Sequence, residues 1–270
     1  MAPIVTLTTD FGTRDAYLAQ MKGVLLTEGP HDLRVVDLSH EISTHDTKEA
    51  ALFVRAAIPR FPEGTIHVVI VDPGVGGVRR PIVACVRGQL LVGPDNATFG
   101  YLLDGSEQVY EIQPARLERA HISSTFHGRD IFAPAAARLA AGATPESLGA
   151  RVEHYKRLVF PLVQVRNREL LGTVIHIDRF GNLISNISEG TLRGFLQGVS
   201  PERVVVYVGG HRVQGLSTHY EQTHAGELLA LVGSDDLFEV AARNKSAATK
   251  LNVSVGQSVR VVTETHTHAG

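Results

Sequence analysis

The residues Thr65–Val71 (TIHVVIV) form an almost unbroken β-branched run. A strand with one face in water alternates apolar and polar residues, so a run without that alternation marks a strand covered on both faces. Strands of this kind belong to sheets sandwiched between helices, and the neighbouring segments fit that arrangement. Ile4–Leu7 reads as a strand. Asp15–Thr27 places Tyr17, Leu18, Met21, Val24 and Leu25 at helical spacing, with Asp15 as its candidate cap. Leu33–Leu38 is a further apolar run, and Thr47–Ile58 a second helical stretch. The β-α-β-α-β order predicts a mostly parallel sheet flanked by helices. Pro81–Val86 and Gln89–Val92 resemble a hairpin added to it, and Asp130–Ala141 a closing helix.

Beyond about residue 155 the texture changes. Leu171–Ile177, Arg203–Val208, Leu228–Val232 and Ser258–Val262 are strand candidates separated by glycine-rich and polar turns. The expected architecture is therefore α/β: an N-terminal domain over residues 1–155 with a mostly parallel sheet flanked by helices, and a smaller β-rich C-terminal domain over residues 156–270.

Charge and composition narrow the partners. The net charge is −2, and no run of Lys or Arg builds the basic stripe that a phosphate backbone requires, so no nucleic-acid partner is expected. The lone Cys85 cannot form an internal disulfide, and its apolar flanks suggest a buried, inert thiol. Nowhere do about 18 apolar residues run together, so no membrane helix is expected. The start turns polar at Thr8-Thr9-Asp10, which does not suit a signal peptide, and the expected location is cytoplasmic.

Polar motifs follow the predicted strands, at the ends where open α/β sheets bind ligands. Thr8-Thr9-Asp10-Phe11-Gly12 delivers a carboxylate into a turn, where Asp10 suits either a ribose diol or a helix cap. Asp72-Pro73-Gly74-Val75-Gly76-Gly77-Val78-Arg79 follows the central strand, but its glycine spacing fits neither a dinucleotide loop nor a P-loop. Its glycines suit a tight turn, with Asp72 and Arg79 either turned inward or paired on the surface. Thr125-Phe126-His127-Gly128 places a histidine at the start of a helical stretch. Asp178-Arg179-Phe180-Gly181-Asn182 follows a later strand and suits an amine and a purine edge, or simply a turn. Gly233-Ser234 ends another strand, and Tyr220 is a stacking candidate. Among 13 histidines, His40 and His45 with Asp46 form the best potential metal cluster; His266 and His268 lie in the tail.

Taken in this order, from Asp10 to Gly233–Ala247, the motifs resemble the adenosine-forming S-adenosylmethionine hydrolase family, also called S-adenosylmethionine hydroxide adenosyltransferases, relatives of fluorinase and chlorinase. The resemblance implies a hydrolytic triad of Asp72, Arg79 and His127. It also implies ribose binding by Asp10, methionine-amine binding by Asp178 and adenine contact by Asn182, with Tyr220 near the adenine. Ser234 would meet the methionine carboxylate, and Phe126 and Gly128 would line the substrate. Water would attack ribose C5′ of S-adenosyl-L-methionine without metal or cofactor. The family's homotrimer, with active sites between subunits, is the implied assembly. Two departures from the halogenases point to water: Asp72 stands where they carry Tyr, and Gly128 where fluorinase has Ser. His45 stands where fluorinase has Trp. Asp235-Asp236 replaces the small residues expected after Ser234. The competing readings are a 5′-halogenase, a nonhydrolytic S-adenosylmethionine or adenosine binder that needs no triad, and a metal-dependent hydrolase using His40, His45 and Asp46.

Overall fold

A computed structural model describes residues 2–158 and 161–264, so the histidines of the tail lie outside the described residues. The chain divides into two compact units, Met1–Val159 and Phe160–Gly270.

The first unit follows the alternation written in its sequence. Strands β1 (Ile4–Thr9), β2 (Arg34–Ser39) and β3 (Ile66–Ile70) are joined through helices α1 (Tyr17–Glu28) and α2 (Thr47–Ala57). A hairpin of β4 (Pro81–Val86) and β5 (Gln89–Pro94), then β6 (Gln108–Glu111), completes a sheet of order β2-β1-β3-β5-β4-β6. Pairings β1–β2, β1–β3 and β3–β5 are parallel, and the two involving β4 are antiparallel. Every residue of β3 is buried, as its unpunctuated sequence demands. Ile66, Val68 and Ile70 join one apolar cluster and Val69 another, so both faces are covered.

Helix α1 buries Leu18, Met21 and Leu25, one stripe at helical spacing. It packs on α3 (Ala133–Ala140), whose run of alanines permits close approach. Asp15 does not cap α1: Ala16 occupies that position without a side-chain hydrogen bond. At α2 the N-cap is Asp46, which accepts from the backbone N–H of Lys48 and Glu49. The stretch expected to be helical from Asp130 instead opens as a π-helical turn over Gly128–Phe132 before α3 begins. A short α4 (Pro145–Leu148) follows. Cys85 is half-buried, not buried, and its thiol is pushed up by burial and by the Glu146 charge.

The second unit is an antiparallel β structure. It comprises β7 (Gln164–Arg166), β8 (Glu169–Ile177), β9 (Leu183–Ser188), α5 (Glu189–Phe195), β10 (Val204–Val208), β11 (His211–Gln214), β12 (Leu228–Val232), β13 (Leu237–Ala242), α6 (Ala247–Leu251) and β14 (Ser258–Thr263). The sheet runs β11-β10-β14-β8-β9-β13-β12, with β7 on β8. Burial alternates along β9, and Leu183 and Ile187 point into a core shared with Val204, Val206, Phe238 and Val240.

Candidate active site

The loop after β3 turns inward. Arg79 Nε lies 3.0 Å from Asp72 Oδ1 and 2.9 Å from Oδ2, and Nη2 donates to Oδ2 at 2.5 Å. The two side chains are 5% and 4% exposed, which rules out a surface ion pair. Arg79 Nη2 also lies 2.7 Å from His127 Nδ1. A guanidinium has only donors, so Nδ1 accepts and the ring proton sits on Nε2. Burial, then the Arg79 charge, holds the His127 imidazole below its ordinary pKa, against the opposing pull of Asp72 and Asp130. Three residues from separate motifs thus form one buried network with a neutral histidine.

Two glycines let these segments meet. Gly76 has φ +75°, and a Cβ there would stand 2.2 Å from the Ser124 carbonyl oxygen, so the loop rests directly on the segment leading to His127. A Cβ on Gly128 would lie 3.0 Å from the Phe126 ring and 3.1 Å from Met21 Sδ. Phe126 packs with Phe11 and Tyr17, ring centroids 6.1 and 5.2 Å away. These rings connect the His127 segment to the turn carrying Asp10. Asp130 secures the same segment, accepting from Ser123 N and from Arg129.

Asp10 caps no helix. Its Oδ2 accepts from the backbone N–H of His45 at 2.9 Å, and His45 holds φ +65°. His40 fastens the Asp10 turn from beneath. Its Nδ1 lies 2.9 Å from Thr9 Oγ1, and its carbonyl accepts from Gly12 N at 2.8 Å. Its Nε2 lies 3.1 Å from Asp37 Oδ1, close enough for an ion pair but without hydrogen-bond alignment. Asp37 also pairs with Lys22 at 2.5 Å. The sequence reading missed this support; its only signal was the Asp37-x-x-His40 spacing beside a predicted strand. The potential metal cluster is spent on structure: His40 holds Thr9, Asp46 caps α2, and the backbone of His45 holds Asp10. Among the described residues no group of three His, Cys, Asp or Glu is placed to hold a metal ion.

In the second unit, Asp178 and Asn182 form a turn. Asp178 Oδ1 accepts from Phe180 N and Asn182 N, and Oδ2 accepts from Asn182 Nδ2 at 2.9 Å. Gly181 (φ +83°) closes the turn against Ser246, which a Cβ would meet at 2.1 Å. Turn chemistry is therefore real here, and it leaves the Asn182 side-chain carbonyl and part of the Asp178 carboxylate for other partners. Phe180 stands 76% exposed beside them. Ser234, Asp235 and Asp236 are exposed in the turn between β12 and β13. Tyr220 is exposed, and its hydroxyl donates to Glu239 Oε1 at 2.5 Å. No feature of the sequence reading singled out Glu239.

An α/β unit whose central strand leads into a buried Asp–Arg–His network, followed by an antiparallel unit with polar turns at its strand ends, defines a small-molecule enzyme of two-unit design. The chain belongs to the SAM hydroxide adenosyltransferase family. The family's N-terminal domain matches residues 5–149 and its C-terminal domain residues 172–260. An (R)-S-adenosyl-L-methionine hydrolase of Thermus thermophilus is 37% identical, covering 97% of this chain and all of its own length. A protein of the same name from Salinispora arenicola is 36% identical over 96% of this chain and 97% of its own. The fluorinase of Actinopolyspora mzabensis is more distant, at 26% identity over 96% and 97%. An uncharacterized conserved protein from Thermotoga maritima has the same fold, with a TM-score of 0.88 and 30% identity over 96% of this chain and 99% of its own.

Proposed function

We propose that this protein cleaves S-adenosyl-L-methionine with water at ribose C5′, releasing adenosine and L-methionine. The observation that carries the reading is the buried Asp72–Arg79–His127 network. The relatives named hydrolase, at 36–37% identity, support it against the halogenase alternative, whose fluorinase relatives stand at 26%. Asp72 argues the same way, because a buried carboxylate repels a halide.

The chemistry asks little of an acid. The sulfonium leaves as a neutral thioether, taking the C5′–S electron pair, so the leaving group needs no proton. As the water oxygen bonds to C5′, one water proton must depart. His127 Nδ1 is occupied by Arg79, which leaves Nε2–H to orient the water as a donor. Asp72 Oδ1, with a single Arg79 contact, is the acceptor with capacity for the proton. Arg79 fixes both partners at once. Asp10 would hold the ribose diol. Asp178, Asn182, Tyr220, Ser234, Phe126 and Gly128 would complete the substrate contacts, and positioning of this kind contributes about 7–11 kcal/mol in ideal cases.

Incubation with the (R) form named for the relatives, and separately with its sulfur epimer, in ¹⁸O-labelled water should yield adenosine carrying the label at the 5′-hydroxyl. Formation of 5′-chloroadenosine in chloride buffer would move the assignment to a halogenase, and tight retention of intact substrate to a binding module. Asp72→Asn and His127→Ala should each lower kcat by about a hundredfold or more with little change in substrate affinity, whereas Asp10→Ala should weaken affinity as well.

The reading extends to the homotrimer that the resemblance implied and to the cytoplasmic location expected from the sequence. No helix among the described residues is long and apolar enough to cross a membrane. Light scattering on the eluted protein should give three times the 29.2 kDa chain mass; a monomer mass rejects the trimer.

A further inference from the structure

Strand β13 reads Leu-Phe-Glu-Val-Ala-Ala, and all of its residues are buried. Glu239 is 6% exposed in the middle of this run. Phe238 and Val240 face the main core of the unit, while Ala241 shares the opposite face with Leu229 and Leu231. Glu239 projects on that second face, opposite Leu231 on one side and Ile184 on the other. A carboxyl in such a place persists only where something binds it.

Two observations show that the fold is built around it. Gly233 leaves room for the carboxyl, since a Cβ there would lie 2.7 Å from Glu239 Oε2. Tyr220 reaches in with its hydroxyl at 2.5 Å from Oε1. Burial pushes the Glu239 carboxyl up, Asp178 and Asp235 push the same way, and Tyr220 pulls it down. The Tyr220 phenol is itself pushed up, by burial first and then by Glu239.

Tyr220 sits in a single 3-10 turn, Tyr220–Gln222, within a stretch lacking strand or longer helix. The turn is tied by Thr218 N to Gln222 Oε1 at 2.6 Å, and the next residue by Arg243 Nη1 to the Thr223 carbonyl at 2.7 Å. Tyr220 is 43% exposed, so packing alone does not fix its ring. The ring is moored at its far end, by its hydroxyl. A flat aromatic face, open to solvent and held at both ends, is suited to stacking on a base without the cost of ordering a free side chain.

We propose that Glu239 is a positioning residue for substrate binding: through the Tyr220 hydroxyl it holds the exposed Tyr220 ring in the orientation on which the purine of S-adenosylmethionine or adenosine stacks. The proposal rests on the function read above for the identity of that purine. Glu239 touches no reacting atom, so its effect belongs to affinity and not to the chemical step.

The test uses the full chain with Tyr220→Ala, Tyr220→Phe, Glu239→Leu, Glu239→Gln and the double variant Tyr220→Phe/Glu239→Leu. Adenosine Kd is measured by calorimetry, and KM and kcat with S-adenosylmethionine. Tyr220→Ala should weaken adenosine binding by about tenfold or more, as loss of one stacking face does. Tyr220→Phe and Glu239→Leu should each weaken it by a few-fold, and the double variant no further, because both cut one tether. The loss should appear in KM, with kcat changed by less than about twofold. Glu239→Gln, which still accepts at Oε1, should restore most of the affinity. A ligand-free readout accompanies these: in alkaline difference spectroscopy the Tyr220 ionisation, identified by its loss in Tyr220→Phe, should move to lower pH in Glu239→Leu than in the wild type, because the part of its upward shift that comes from Glu239 is gone while burial remains. Additive losses, a loss in kcat instead of KM, or an unchanged affinity in Tyr220→Phe would overturn the proposal while wild-type hydrolysis leaves the function standing. Tyr220→Phe removes the tether but leaves the Glu239 carboxyl without it, whereas the double variant removes both, so the double variant decides the matter if either single variant fails to fold. A wild-type protein that neither binds adenosine nor cleaves S-adenosylmethionine would overturn both.

Discussion

The tautomer of His127 follows from its neighbour. Because Arg79 can only donate, protonation of Nδ1 would set two donors against each other 2.7 Å apart. The imidazole is held below its ordinary value of 6.5 by burial and by Arg79, so the neutral ring survives further into acid than a free histidine would. The acid limb of kcat for S-adenosylmethionine should therefore fall below pH 6.5. Nitrogen-15 spectra at pH 7 should show the proton on Nε2. A limb centred at or above pH 6.5, or a proton on Nδ1, contradicts the arrangement. The ion pair beside it has a different sensitivity. Removing one partner of a buried pair leaves an unpaired charge, which costs about 3–5 kcal/mol, so Asp72→Ala should lose stability as well as activity. Asp72→Asn keeps an acceptor for Arg79, and its loss of turnover is the cleaner measure of the carboxylate.

At the scale of elements, the site depends on how one loop rests on another. Gly76 combines a positive φ with a carbonyl oxygen 2.2 Å from where a Cβ would stand. Gly76→Ala cannot be accommodated without moving the Asp72–Arg79 loop off the Ser124–His127 segment. It should lower kcat by about tenfold or more, while Gly12→Ala, strained in φ but with open space around its Cβ, should act through the Asp10 turn and raise KM instead. Equal kinetics for the two variants would show that the loop contact does not set the triad. Elements with one strong local signal were legible in the sequence: β3 from its unbroken apolar run, α2 from its spacing, and the motif residues from their places after strands. Strand β9 was hidden because Leu183–Ser188 overlaps the polar turn that drew the functional reading. Strand β13 was hidden because Glu239 interrupts the short apolar run Leu237–Ala242, and Glu239 went unnoticed with it. The Asp15 cap failed because a suitable residue type says nothing about whether the backbone brings it to the helix end. The network of Lys22, Asp37, His40 and Thr9 draws on three elements, and no local window contains it.

For the whole molecule, acid should act on the two units differently. Every apolar cluster is confined to one unit, so each has its own core to lose. The first unit contains His67, fully buried in β3, with Nδ1 2.7 Å from Thr6 Oγ1 and no partner for Nε2 among the described residues. Burial lowers its pKa from 6.5 to about 4. Between those values the unfolded chain binds a proton that the folded chain refuses. The stabilisation is thus complete above pH 6.5 and is lost as the pH falls toward 4, by about 3 kcal/mol in all. His127 adds to this in the same direction. In the second unit, Glu239 works the opposite way: a carboxyl raised in the fold favours the folded state at low pH and loses that contribution as the pH rises. Calorimetric scans at pH 7.5 and pH 5 should therefore show the transition of the first unit moving down while that of the second moves little. His67→Asn, whose amide can still meet Thr6, should shrink the downward shift even though it lowers stability at neutral pH by leaving a void. Transitions that move together, or a shift that His67→Asn leaves at full size, would mean that the buried imidazole does not govern the acid response.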